Sequence, residues 1–193
     1  MSILEHRYFE LQELLLIFKD SSKVSIEAAA QEISKTFLHG NKVLICGNGG
    51  SAADSQHFAA EFVNKFSNRI NRSALPAQSL TTDSSIITAV SNDSDFEEIF
   101  SRQVEAYGKK GDLLVVFTTS GKSKNCIKAV ESAKLIGMCS IVFTRTDAEI
   151  SKLADLTIGV PSTNTQHIQE CHIFAYHVIS ELVEYSIYGI KNE

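Results

Sequence analysis

Two side chains able to move protons or hold a metal, His57 and Glu61, stand four residues apart just downstream of a glycine turn, Gly47-Asn48-Gly49-Gly50-Ser51. On a helix that spacing puts both on one face. Three readings are open for them: a general base with its partner, a pair of metal ligands, or a solvated surface pair. The glycines let the backbone turn sharply and present N–H groups at a helix start, where an anion is favoured. A seat for phosphate beside groups for proton transfer or metal binding points to an enzyme acting on a phosphorylated metabolite.

Two further segments carry chemistry. Thr118-Thr119-Ser120-Gly121-Lys122-Ser123 offers four hydroxyls, a glycine and a cation between an apolar run and a helix. One hydroxyl suffices for a helix cap, so this number favours a phosphate seat over a simple cap. Nearer the C-terminus, His167, His172 and His177 fall close together with Gln169 and Glu170. Gln169, His172 and Tyr176 share a helix face, with His177 beside it, and the group reads as site lining. The first glycine loop also satisfies a dinucleotide fingerprint. That fingerprint wants an acidic residue further on for the ribose, and no Asp or Glu occurs between Glu61 and Asp83, so no nucleotide cofactor is expected.

These residues must be placed by alternating strands and helices. Periodicity predicts helices over 3–18 and 25–38, then a buried strand over 43–46 and a helix over 51–68. A weaker strand over 75–80 precedes helices from about 83 and over 95–107. The alternation continues with strands at 112–118, 138–144 and 156–160 and helices at 123–136, 148–154 and 166–188. Such a pattern implies an α/β fold with a parallel sheet covered on both faces and ligands beyond the strands' carboxyl ends. One domain spanning 1–193 is expected, with helices in 1–40 joining an oligomer interface and the α/β core in 41–193. The chain is 44% hydrophobic and 21% charged with net charge −5 and no basic cluster, which argues against nucleic acid or an anionic membrane as partner. Scattered cysteines, no leader-like N-terminus and no long apolar run predict a cytoplasmic protein.

Together, Cys46 to Asp54 with His57-Phe58-Ala59-Ala60-Glu61, Thr119-Ser120-Gly121-x-Ser123 and Ile168-Gln169-Glu170-x-His172 resemble the phosphoheptose isomerases of the sugar isomerase (SIS) domain superfamily. Leu80-Thr81-Thr82-Asp83, Asn92-Asp93 and Phe100 to Val104 are similar to the same family. The resemblance implies a three-layer αβα sandwich with a flavodoxin-like five-stranded parallel sheet, a homotetramer, and conversion of sedoheptulose 7-phosphate to D-glycero-D-manno-heptose 7-phosphate. It implies Glu61 as base and His177 as acid. Gly49, Gly50, Ser51, Thr119, Ser120 and Ser123 would hold the substrate, mainly its phosphate, with Asn48, Asp93 and Gln169 at the sugar hydroxyls. It further implies zinc held by His57, Glu61, Gln169 and His177.

The chain departs from the family pattern at Lys65, Lys122, His167 and the Arg145-Thr146-Asp147 turn. Lysine does not reproduce arginine's bidentate fork, so phosphate geometry is less determined than reaction type. A non-catalytic SIS protein that binds a phosphosugar or regulates a partner is the main rival. Such relatives lack the catalytic glutamate, so the presence of Glu61 and His177 favours the enzyme.

Overall fold

The computed structural model describes residues 1–68 and 70–189. Strands β1 (Val43–Gly47), β2 (Ala77–Ser79), β3 (Leu113–Phe117), β4 (Cys139–Arg145) and β5 (Leu156–Val160) form one sheet. All pairings are parallel, in the order β2-β1-β3-β4-β5, which is the flavodoxin-like arrangement. Helices are α1 (Ile3–Leu38), α2 (Gly50–Val63), α3 (Ser84–Asp93), α4 (Ser101–Tyr107), α5 (Lys124–Ile136) and α6 (Thr165–Tyr188).

Strand alternation builds the layers. Val43, Ile45, Val115, Phe117, Ile141 and Phe143 pack on one face with α1, α2 and α6. Leu44, Cys46, Leu114, Val116 and Val142 pack on the other with Val104 of α4 and Val130 of α5. Both faces are buried, which is why the strands read as unbroken apolar runs. The four cysteines are free thiols, and no helix among the described residues is long and apolar enough to cross a membrane.

Several boundaries differ from expectation for identifiable reasons. The two expected N-terminal helices are one, α1, opened by a Ser2–Glu5 capping box. Its serine-rich middle stays helical because the hydroxyls bond within the structure: Ser21 donates to the Phe18 carbonyl (3.3 Å), Ser25 to that of Ser22 (2.9 Å), and Ser22 reaches Gly159 of β5 (3.3 Å). The expected helix over 95–107 splits into a 3-10 turn at Phe96–Glu98 and α4, because the Asp95 side chain caps the turn (2.8 Å to the Glu97 N–H). The one expected at 148–154 is only a 3-10 turn, Glu149–Lys152.

Helix α2 ends at Val63 rather than near 68 because Arg72 takes its last carbonyls. The guanidinium donates to the Glu61 oxygen (2.6 Å) and the Phe62 oxygen (2.8 Å). Its Nε donates to Glu184 of α6 at 2.7 Å, and both side chains are sealed from solvent. Glu184 also accepts from the Phe66 and Ser67 N–H groups (2.8 and 3.2 Å). Removing one partner of a buried pair strands the other's charge, at a cost of about 3–5 kcal/mol. Glu184→Ala is therefore expected to lower the melting temperature by roughly 6–20 °C in calorimetry. An unmoved melting temperature would contradict this role.

Candidate active site

The first loop leaves β1 at Gly47, where a Cβ would lie 2.7 Å from the Ser51 carbonyl oxygen and 2.9 Å from that of Phe117. Only glycine lets β1 and β3 come this close at their ends. Gly49 has φ +59° and starts α2 with no side-chain cap. Gly50 lies directly beneath the Gln169 amide, so a side chain there would displace Gln169. Asn48 exchanges two amide hydrogen bonds of 2.8 Å with Asn125 of α5, tying the first loop to the helix that follows the second.

The second loop leaves β3, beside β1, at the sheet's topological switch point, where ligands of such folds bind. Gly121 adopts φ +67° against Ala148, and its N–H is held by Thr118 Oγ1 at 3.2 Å. Ser123 precedes α5 yet makes no side-chain cap bond. That outcome disfavours the simple-cap reading; the Ser123 oxygen accepts from Thr118 Oγ1 (3.4 Å), which leaves the Ser123 hydroxyl proton for a ligand. Ser51 is buried, Thr119 and Ser123 are half-buried and Ser120 is exposed.

Helices α2 and α6 bring the titratable groups together. His57 Nε2 lies 2.9 Å from Glu61 Oε1, and His57 Nδ1 lies 2.8 Å from the Tyr176 hydroxyl. The His177 ring stacks edge-on to His57 (5.0 Å between centroids) and to Tyr176 (4.8 Å). One ligand atom from each of His57, Glu61 and His177 lies within 4.8 Å of the others. Two imidazoles and a carboxylate this close suit zinc. Burial lowers the His177 pKa, helped by the charge of His57 and opposed by Glu61. Burial, then the negative charges of Asp54 and Glu61, push the Tyr176 phenol well above its usual range. It therefore stays protonated, with its hydroxyl 2.8 Å from His57 Nδ1.

His172 departs from expectation. It is fully buried among Phe117 and Phe143 (5.8 and 5.7 Å), so it belongs to the core and not to the site lining. Burial pushes its pKa down to about 3 against the opposing pull of the Thr144 backbone, leaving the ring neutral. His167 is a structural tie as well, 2.7 Å from Glu170 and 3.4 Å from Glu10 of α1. Asp93 sits exposed at the end of α3, accepting a bond from Asn92 (2.8 Å). Lys65 and Lys122 are exposed.

Arg72, Asn125 and Asp54 were not singled out by residue type and spacing. Asp54 had the one available signal, since it lies one turn before His57 on the same face. It is buried, its Oδ2 has no partner, and burial raises its pKa to about 6 against the pull of His57.

The SIS domain family model matches residues 7–145. Fold, loops and match together define an SIS domain protein. The phosphoheptose isomerase of Akkermansia muciniphila is 48% identical over 165 residues, covering 85% of this chain and 86% of that one. Solved phosphoheptose isomerases from Francisella tularensis and Neisseria gonorrhoeae superpose with TM-scores of 0.89 and 0.88 at 35% and 36% identity. The first covers 95% of this chain and 99% of that one, the second 93% and 96%. The chain belongs to the phosphoheptose isomerase family.

Asp54 makes stability depend on pH. The folded state keeps the Asp54 proton up to about pH 6, against an ordinary value of 3.8, so over that interval it binds more protons than the unfolded state. Stability then falls as pH rises, by roughly 3 kcal/mol in all from this group. In thermal melts with chelator present, Asp54→Asn is expected to stabilise the protein at pH 8 and to give no advantage at pH 4. A pH-independent difference would remove the assignment.

Proposed function

We propose that this chain isomerises sedoheptulose 7-phosphate to D-glycero-D-manno-heptose 7-phosphate, at the head of heptose synthesis for a bacterial surface polysaccharide. The observation that carries the reading is the convergence of Glu61 and His177, from two helices, on His57, with Gln169 of the same helix α6 standing over Gly50 of the first loop. Identity of 48% to a phosphoheptose isomerase over most of both chains supports it.

Glu61 takes a proton from C1 of the ketose as the C2 carbonyl oxygen gains one, forming an enediol. Glu61 then returns its proton to C2 while the C1 hydroxyl loses one, giving the aldose with no net gain or loss of atoms. His177 serves the two oxygens. Burial shifts it toward the neutral form, in which one ring nitrogen carries a proton to exchange and the other is left for a metal. Ser51, Thr119, Ser120 and Ser123, with the amides of Gly49 and Gly50, seat the phosphate. Asn48, Asp93 and Gln169 contact sugar hydroxyls, Asn48 within the limits of its bonds to Asn125.

His57, Glu61, Gln169 and His177 would hold zinc, and Gln169 over Gly50 stands close to the first loop. When bound, the metal supplies polarisation of the substrate oxygens. A carboxylate bound to metal is a weaker base, so Glu61 has to be loosely held to keep its proton-transfer role. We further propose a cytoplasmic homotetramer formed by a single domain. Ile3, Leu4, Tyr8, Phe9, Leu16 and Ile17 leave α1 with exposed apolar side chains, which favours self-association.

Purified protein is expected to convert sedoheptulose 7-phosphate, followed by chromatography of the aldose. Glu61→Gln should lower kcat by about 10²–10⁴-fold with sugar-phosphate binding retained. Binding without turnover by the wild-type protein would establish the non-catalytic rival instead. Chelation should abolish activity and zinc should restore it, whereas full activity in metal-free protein would remove zinc from the mechanism.

A further inference from the structure

The turn that departs from the family pattern, Arg145-Thr146-Asp147, separates two adjoining cavities lined by none of the residues assigned to the site above. One, of about 540 Å³, lies at the carboxyl ends of β4 and β5 and is lined by Arg145, Asp147 and Ser162. The other, of about 660 Å³, runs along the outer edge of β5 beneath α1 and is lined by Ser21, Ser22, Ser25, Ser151 and Lys152. Thr146 and Asp147 line both, so the two meet at the turn. From β1 to β5 is three strand spacings, about 14 Å, and neither cavity includes His57, Glu61 or His177.

Their chemistry is asymmetric. Arg145 Nε is buried with no hydrogen-bond partner, and among the described residues neither Arg145 nor Lys152 makes an ion pair. Asp147, held at φ +60°, is the single carboxylate on either lining and does not pair with them. A partly buried guanidinium without a counter-charge is unfavourable, and it is relieved by an anion matching its fork. On the α1 side the hydroxyls of Ser21, Ser22 and Ser25 already donate to carbonyls. Their oxygens are left as acceptors, which suits O–H donors rather than an anion. Ser151 Oγ, also buried, has no partner at all.

We propose that the joined cavities form a second ligand site, for a phosphorylated polyol. Its phosphate lies against Arg145, assisted by Lys152, and its hydroxyls donate to the α1 serines. The site stands whether or not the chain isomerises heptose, since it shares no residue with that reading.

The test is calorimetric titration with glucose 6-phosphate and, separately, inorganic phosphate. Wild-type protein should show two classes of site for glucose 6-phosphate. Ser120→Ala should weaken one class. Arg145→Ala should weaken the other by about tenfold or more, with an unchanged melting temperature as control. Should Arg145→Ala disturb folding, Lys152→Ala at the exposed second cation should still weaken that class several-fold. Glucose 6-phosphate should bind this class more tightly than inorganic phosphate. Absence of any class of site that Arg145→Ala or Lys152→Ala weakens would overturn the proposal, whether or not a class dependent on Ser120 is present. Equal affinity for the two ligands would overturn its polyol half.

Discussion

The buried pair between Arg72 and Glu184 is the constraint on which the site depends. Arg72 holds the carbonyl of Glu61 itself (2.6 Å) while its Nε is fixed to α6 (2.7 Å). Glu184 follows His177 by two helical turns. One ion pair therefore locks the end of α2 to the helix that carries Tyr176 and His177. A buried pair is weak evidence of net stabilisation, because desolvation offsets much of its attraction. Its worth here is geometric. It sets the distance across which His57 and Glu61 face His177, and proton transfer is sensitive to errors of an ångström.

The two loops are joined by different means. Glycine at position 47 removes the only atom that would keep β1 and β3 apart at their carboxyl ends. The Asn48–Asn125 amide pair then ties the loop after β1 to the helix after β3. Both devices act at the switch point, so the two loops are built on adjacent strands and not on flexible segments.

Burial sorts the titratable groups into kinds. His172 is neutral and enclosed by aromatic rings, so it packs as a core residue despite its polarity. Tyr176 keeps its proton beside His57 without adding charge, whereas Asp54, raised to about 6, holds its proton only on the acid side of neutrality. His177, less buried, is shifted toward its neutral form by burial and by His57. Residues of one chemical type thus perform unlike tasks according to how much water reaches them.

Local pattern is enough to read the strand and helix alternation, both glycine- and hydroxyl-rich loops, and the shared face of His57 and Glu61. Each rests on a period or a turn confined to a few neighbouring residues. The same pattern misreads His172, because spacing tells which residues share a helix face but not whether that face meets water or the sheet. It breaks α1 at its serines, which hydrogen bonds and packing on β5 and α6 hold helical. It is silent on Arg72, Asn125 and the unpaired Arg145, whose roles rest on partners, or an absence of partners, far away in the chain. The sequence by itself determined the fold class and the chemical inventory. Tertiary structure decided which members of that inventory meet, because contacts between α2 and α6 span more than a hundred residues that no local period can register.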